Sequence, residues 1–256
     1  NLLIMEDNNI LDTIEETDVD VNAPINKHTK ETFIYSGARA LERASFYGIR
    51  SLLTLYMVQY LDLPRETAAQ IYGWVVTSII FSQIIGALIG DLLLGNKKAI
   101  LLGGTLQAIG AFTLCIPSPT SFYLGIGLIV LGGGLYTPNM LSQFGKIYSN
   151  KTKLIDSGFT IFYTAINLGA FTGVFISMVL GGPYFRYGFI AGGVLMLFSV
   201  FLLLLCKEKE TAIIPETKST NHGIATIIIS LLLIGTFWAI YDFTGNGLVH
   251  LDMQFD

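Results

Sequence analysis

The amino-acid sequence predicts an all-α polytopic membrane protein, and three observations carry that prediction. The 256 residues are 52% hydrophobic and only 13% charged, about half the charged share of a soluble domain. Charges are absent from 67–90, 99–145, 157–185 and 187–206, and each run can hold a helix of about 20 residues, enough to cross a bilayer. Lysines also gather in alternate connections, as they do on the cytoplasmic side of polytopic proteins.

Seven spans are expected. The first, 36–61, is apolar but carries charges. The second covers 67–93. The run 99–145 is too long for one helix and breaks at the turn signal "PSPTS" (117–121) into spans 99–116 and 122–145. The fifth, sixth and seventh cover 157–180, 186–206 and 224–249. Residues 1–32 hold "MEDNNILDTIEETDVDVNAP", acidic and without helical periodicity, and are expected to form a mobile tail. No signal-peptide pattern opens them. The organisation expected is a tail (1–32), six helices (33–206), a linker (207–223) and a further helix (224–256).

Loops after even-numbered spans carry Lys97, Lys98, Lys146, Lys151, Lys153, Lys207, Lys209 and Lys218. The opposite loops carry Arg65 and Arg186. This asymmetry places the N-terminus in the cytoplasm and argues against a seven-helix receptor, whose N-terminus is external. Cys115 and Cys206 fall in apolar helices, so no disulfide framework is expected. His28, His222 and His250 are too scattered to form a recognisable metal set. No glycine loop follows a strand as a phosphate site would require. An enzyme is therefore not expected, nor a bound metal or organic cofactor. Glycine runs such as "GALIG" (86–90), "LGGTLQAIG" (102–110) and "GIGLIVLGGG" (125–134) suit close helix packing in lipid.

The first span poses the chemical question. Its "ALERASFYGIR" (40–50) places Glu42, Arg43 and Arg50 inside an apolar helix. Three central charges cost roughly 2.5–3.5 kcal/mol each. About ten apolar residues return only ~0.3–0.6 kcal/mol apiece. These side chains therefore cannot face lipid and must line a bundle interior or wet cavity. Arg39, Arg43, Phe46 and Arg50 step by four, three and four, which is one helical face, with Glu42 and Tyr47 beside it. Two readings are open: a structural ion pair, or a transport face for charged solute or protons.

Here the residues resemble a known family. "LERASFYGIR" resembles the first-helix E-x-x-E-R-F-x-Y-Y-G motif of the proton-dependent oligopeptide transporters of the major facilitator superfamily. In order, "QIYGWVVTSIIFSQIIGALIGDLLLGNKKAI" (70–100) resembles their second helix and its Asp-x-x-Leu-Gly loop. "YLGIGLIVLGGGLYTPNM" (123–140) is similar to their fourth helix with K-P-N. "SGFTIFYTAINLGAF" (157–171) resembles the fifth-helix F-Y-x-x-I-N-x-G, and "LLLIGTFWAIYDFTGNG" (231–247) the seventh-helix F-W-x-x-[FY]-E-Q-x-G.

The resemblance implies two six-helix lobes rocking around a central site, of which this chain would supply the N-terminal lobe plus the first helix of the C-terminal lobe. It is expected to be a fragment, acting with the missing C-terminal lobe of the same protein. The implied activity is import of di- and tripeptides by alternating access across the cell membrane, driven by protons. Amino acids or another small carboxylated solute, with altered or lost coupling, are the alternative cargo, and a non-transporting sensor the alternative role. Nucleic acid is not an expected partner; lipid is.

By resemblance, Arg43 and Arg50 would face the substrate carboxylate, Tyr47 and Tyr72 would line the pocket, and Asn167 would bind near the peptide's N-terminal end. Tyr72 and Asn167 have packing alternatives. Asp242 would pair with Arg50 to close the extracellular gate, and Asp91 would belong to a cytoplasmic gating loop. Glu42 belongs to the implied proton-coupling and gate set with Asp242 and Arg50. Two positions depart from the pattern: Arg39 stands where the family has Glu, and Thr137 where it has Lys. A positive charge has in effect moved from the fourth helix to the first, and an acid has been lost, so the set gains one positive charge. Attraction for a carboxylate should survive, whereas Glu42, between Arg39 and Arg43, should be reluctant to take a proton. Coupling would then fall to Asp242 or to an acid of the missing lobe.

Overall fold

A computed structural model of the chain describes residues 27–149, 151–182 and 184–206, with Ile229, Leu233 and Thr236 beyond them. The tail to residue 26, the linker 207–223, Asp242 and, those three residues apart, the seventh span lie outside the described residues. The chain divides into two units, 1–211 and 212–256, and the first of them holds six long helices.

Helices α1 (Lys30–Gln59), α2 (Arg65–Ile89), α3 (Asn96–Thr113), α4 (Pro119–Lys146), α5 (Ile155–Gly181) and α6 (Phe185–Leu205) cover the first six spans. Boundaries follow local chemistry. Ser118 caps α4, its Oγ accepting from Ser121 N at 3.3 Å, with Pro119 at the first helical position. Helix α2 runs on through a π-helical turn, Gly90–Leu94, and ends at Gly95, whose φ of 77° suits only glycine.

Four of these helices, α2 with its π-turn, α4, α5 and α6, are long and apolar enough to cross a membrane. Helix α1 is not, because of its charges, and it is screened by its neighbours instead. It packs along α5 and α6; α3 packs on α4 and α6, and α2 on α4. Large apolar residues such as Ile84, Leu131, Phe171, Phe175 and Phe201 stay exposed on the surface of the lobe.

Two hydrophobic clusters sit at opposite ends of α1. One gathers Tyr35, Phe144, Tyr148, Phe162 and Leu203; the other Leu52, Leu53, Tyr56, Phe122 and Phe189. The charged segment of α1 lies between them. At the first end, the buried Tyr148 hydroxyl lies 2.7 Å from Thr32 Oγ1 and 2.9 Å from His28 Nδ1. Tyr148 thereby ties the start of α1 to the end of α4. Tyr148→Phe strips both contacts while keeping the ring, so about 1–2 kcal/mol of stability should be lost. Thermal unfolding of the full-length protein in detergent checks this; an unchanged midpoint would show that the latch contributes nothing.

Candidate functional site

The site grows from the charged face of α1. Glu42 is fully buried at its centre. Its Oε2 accepts from Arg39 Nη1 at 2.8 Å and from Arg43 Nε at 2.7 Å, and its Oε1 accepts from Arg43 Nη2 at 2.6 Å. One carboxylate thus binds two guanidiniums, bidentately in the case of Arg43, the strongest geometry such groups adopt. Two arginines against one glutamate leave the cluster with one formal positive charge.

Neighbouring helices complete the enclosure. Arg39, 6% exposed, also donates from Nη1 to Thr137 Oγ1 of α4 at 3.2 Å, and its guanidinium lies 5.8 Å from the Tyr136 ring centre. The two positions where the sequence departs from the oligopeptide-transporter pattern are therefore in contact. Gln107 faces Glu42 from α3. Arg39 Nε and Gln107 Nε2 are buried without a partner among the described residues.

Further along the same face, Arg43 lies over Phe46 at 4.7 Å and Tyr47 at 5.7 Å. Arg50, half-buried, donates from Nε to the Tyr72 hydroxyl of α2 and stacks over that ring at 5.3 Å. Tyr72 therefore does more than pack. Aromatic faces hold both cations in fixed directions with part of each guanidinium uncommitted, an arrangement suited to a carboxylate or another oxyanion.

Neither Asn167 nor Asp91 is hydrogen-bonded to this cluster among the described residues. Asn167 is exposed on α5; its Nδ2 donates to Tyr163 O of its own helix at 3.0 Å, and no hydrogen bond joins it to Arg43 or Arg50 among the described residues. Asp91 is exposed in the π-turn and accepts from Asn96 Nδ2 at 3.3 Å. Asp242, the expected partner of Arg50, is outside the described residues.

Sequence reasoning passed over the polar knot around Asp91. Asn139 of α4 occupies the space that Gly90 leaves empty, donates to Gly86 O at 2.9 Å and Leu135 O at 2.8 Å, and accepts from Asn96 Nδ2 at 3.0 Å. Lys146 donates to Asn96 Oδ1. Lys97 donates to Cys206 O at 2.7 Å where α6 ends, a position that favours a cation. The Asn in "TPN" sits within a quoted motif, but only the packing of α2 on α4 shows what it holds.

Comparison with known proteins agrees with this fold. Residues 36–256 match the Major Facilitator Superfamily. The chain is 30% identical over 220 residues to dipeptide and tripeptide permease B of Photorhabdus luminescens, covering 82% of this chain and 45% of that protein. The chain thus spans about half the length of the curated relatives it matches. A crystal structure of peptide transporter POT in complex with sulfate superposes with a TM-score of 0.69 at 28% identity, over 85% of this chain and 46% of that one. A POT family transporter in complex with 5-aminolevulinic acid gives 0.68 at 27%, over 84% and 47%. On the match across most of its length, with six helices in the same fold, the chain belongs to the Major Facilitator Superfamily of membrane transporters, in its proton-dependent oligopeptide transporter branch.

Proposed function

We propose that this chain forms one lobe of a secondary active transporter that imports di- and tripeptides by alternating access, coupled to protons, with its N-terminus in the cytoplasm. One observation carries the reading. A transmembrane helix holds a buried cluster with excess positive charge, and beside it Arg43 and Arg50 are braced on aromatic rings along one face. Ionisable groups are placed inside a membrane at high cost and mark solute pathways. Arg43, Arg50, Tyr47 and Tyr72 are the residues proposed to meet substrate. Asn167 would join them through its exposed face of α5, and Asp91 would serve the cytoplasmic gate. Alternating access needs a second lobe to complete the cavity.

Proton coupling runs through Asp242 or an acid of the other lobe in this reading. Glu42 accepts three hydrogen bonds from two guanidiniums, and a proton placed on it would break at least one. Glu42 thus serves the coupling set as a fixed counter-ion that aims Arg43.

Uptake of a labelled dipeptide by proteoliposomes containing the full-length protein tests this. Accumulation should require an inward proton gradient. Arg50→Gln should raise the dipeptide's Kd about 10- to 100-fold, the worth of a hydrogen bond to a charged group (~1.5–3 kcal/mol). No dipeptide binding and no flux would defeat the reading. The added positive charge at Arg39, together with the 5-aminolevulinic acid held by a structural relative, favours a second cargo class of small carboxylated solutes. Competition of such solutes with the dipeptide distinguishes the two.

A further inference from the structure

At the end of the lobe away from the lysine-rich connections, the last turn of α1, the α3–α4 turn and the start of α6 enclose a cavity of about 410 Å³. Its walls include Tyr56, Tyr60, Cys115, Tyr184, Arg186 and Tyr187. A second concavity, of about 670 Å³, runs down the outer flank between α5 and α6 over Val179, Leu180, Ile190 and Val194. Tyr184 and Tyr187 line both, so the two adjoin at these side chains. One part is aromatic with a cation at its rim; the other is apolar and open sideways.

Two polar groups of the upper cavity lack partners. Arg186 is exposed and makes no ion pair among the described residues. Tyr56 is 3% exposed, its ring wedged among Tyr60, Phe122, Phe185 and Phe189. Its hydroxyl is buried with no hydrogen-bond partner among the described residues, a costly arrangement until an acceptor reaches it. A guanidinium and a phenol can both donate to a phosphate oxygen.

We infer that this two-part concavity is a binding site for an anionic glycerophospholipid of the leaflet opposite the lysine-rich side. Its phosphate meets Arg186 and Tyr56, and an acyl chain lies in the α5–α6 groove. Two features select this occupant over a water-soluble anion. The groove opens onto a face whose Val179, Leu180, Tyr184 and Tyr187 are exposed in a membrane-spanning lobe. Tyrosines joining head and tail regions suit the bilayer interface, being apolar in body and polar at the tip. The inference needs only that the lobe is embedded in a membrane, so it stands or falls separately from the cargo.

The test is thermal unfolding of delipidated full-length protein titrated with phosphatidylglycerol, phosphatidylcholine or inorganic phosphate. Phosphatidylglycerol should raise the midpoint by several degrees at concentrations where phosphatidylcholine does little and inorganic phosphate nothing. Arg186→Gln and Tyr56→Phe should each weaken the phosphatidylglycerol response about tenfold. Ala191→Trp, which fills the groove, should abolish it. Arg65→Gln, a control on the same side but outside the cavity, should leave it intact. Equal responses to the two lipids, an unchanged response in Arg186→Gln, or equal loss in Arg65→Gln would overturn the assignment. Stabilisation by inorganic phosphate alone would overturn it too, and make this a site for a free anion.

Discussion

Glu42→Gln should be the most damaging single substitution in the charged layer, costing about 3–5 kcal/mol, the range seen when one partner of a buried ion pair is removed. The carboxylate is fully buried and is the acidic partner of both Arg39 and Arg43. Without it, two guanidiniums repel each other in a poorly solvated interior. Glutamine keeps the shape but offers one acceptor oxygen where three hydrogen bonds arrive. Arg39→Gln should be milder, since it leaves a neutral Glu42–Arg43 pair with bidentate geometry. Adding Arg39→Gln to Glu42→Gln should recover part of the loss, because only one uncompensated charge remains. Thermal midpoints of the three variants in detergent decide the matter. A Glu42→Gln protein as stable as the parent would mean that water, not the arginines, satisfies this carboxylate.

The second large effect belongs to the crossing of α1 on α5. Gly169 and Gly173 present no side chain to Ala40 and Ala44, and a Cβ at either would strike the backbone carbonyl of its opposite residue. A Cβ on Gly48 would meet Gly173 O at 2.9 Å. The opposed positions advance in step, four residues at a time, so the two helices run parallel in close contact, as small residues permit in lipid. Gly173→Leu should reach or exceed the upper end of the ~1–3 kcal/mol typical of overpacking, because a backbone cannot give way as a side chain can. Little folded protein is expected by size-exclusion chromatography. Gly127→Ala is the control: nothing lies within 4 Å of a Cβ there, so it should be neutral or slightly stabilising. A monodisperse Gly173→Leu protein would show that α1 and α5 can separate at little cost.

The second effect arises from backbones that the packing brings together, and the first from a local ion cluster that neighbouring helices bury, whereas the helices themselves were legible in the sequence. With the π-turn counted in α2, the positions of the first six could be read to within three residues, except that α1 starts six residues before the expected span. Length, apolar runs and breaks such as "PSPTS" are local properties, and a bilayer demands long uninterrupted helices. The charged face of α1 was legible for the same reason, since its spacing is a property of one helix. Four helices meet the length and apolarity of a span by themselves, whereas α1 does not, and its neighbours supply the difference.

The partners on that face were only half visible. Arg39 and Arg43 flank Glu42 in sequence, so their competition for it was foreseeable. That Arg39 also reaches Thr137, or that Arg50 reaches Tyr72, depends on how α4 and α2 pack against α1. Asn167 shows the converse: it lies within a recognisable motif, yet the hydrogen bond its carboxamide makes here runs from Nδ2 to its own helix backbone at Tyr163 O.

The sequence by itself determined that this chain is a bundle of membrane helices, which connections hold the lysines, and that α1 must hide charge. These follow from transfer free energies summed along a single helix. Only the tertiary structure decided that Arg39 reaches Thr137 of α4, that Gly169 and Gly173 meet the backbone of α1, and that Tyr184 and Tyr187 line both an aromatic cavity and an apolar groove. Each depends on distances between side chains and backbones in three dimensions, and those are set by how the helices pack.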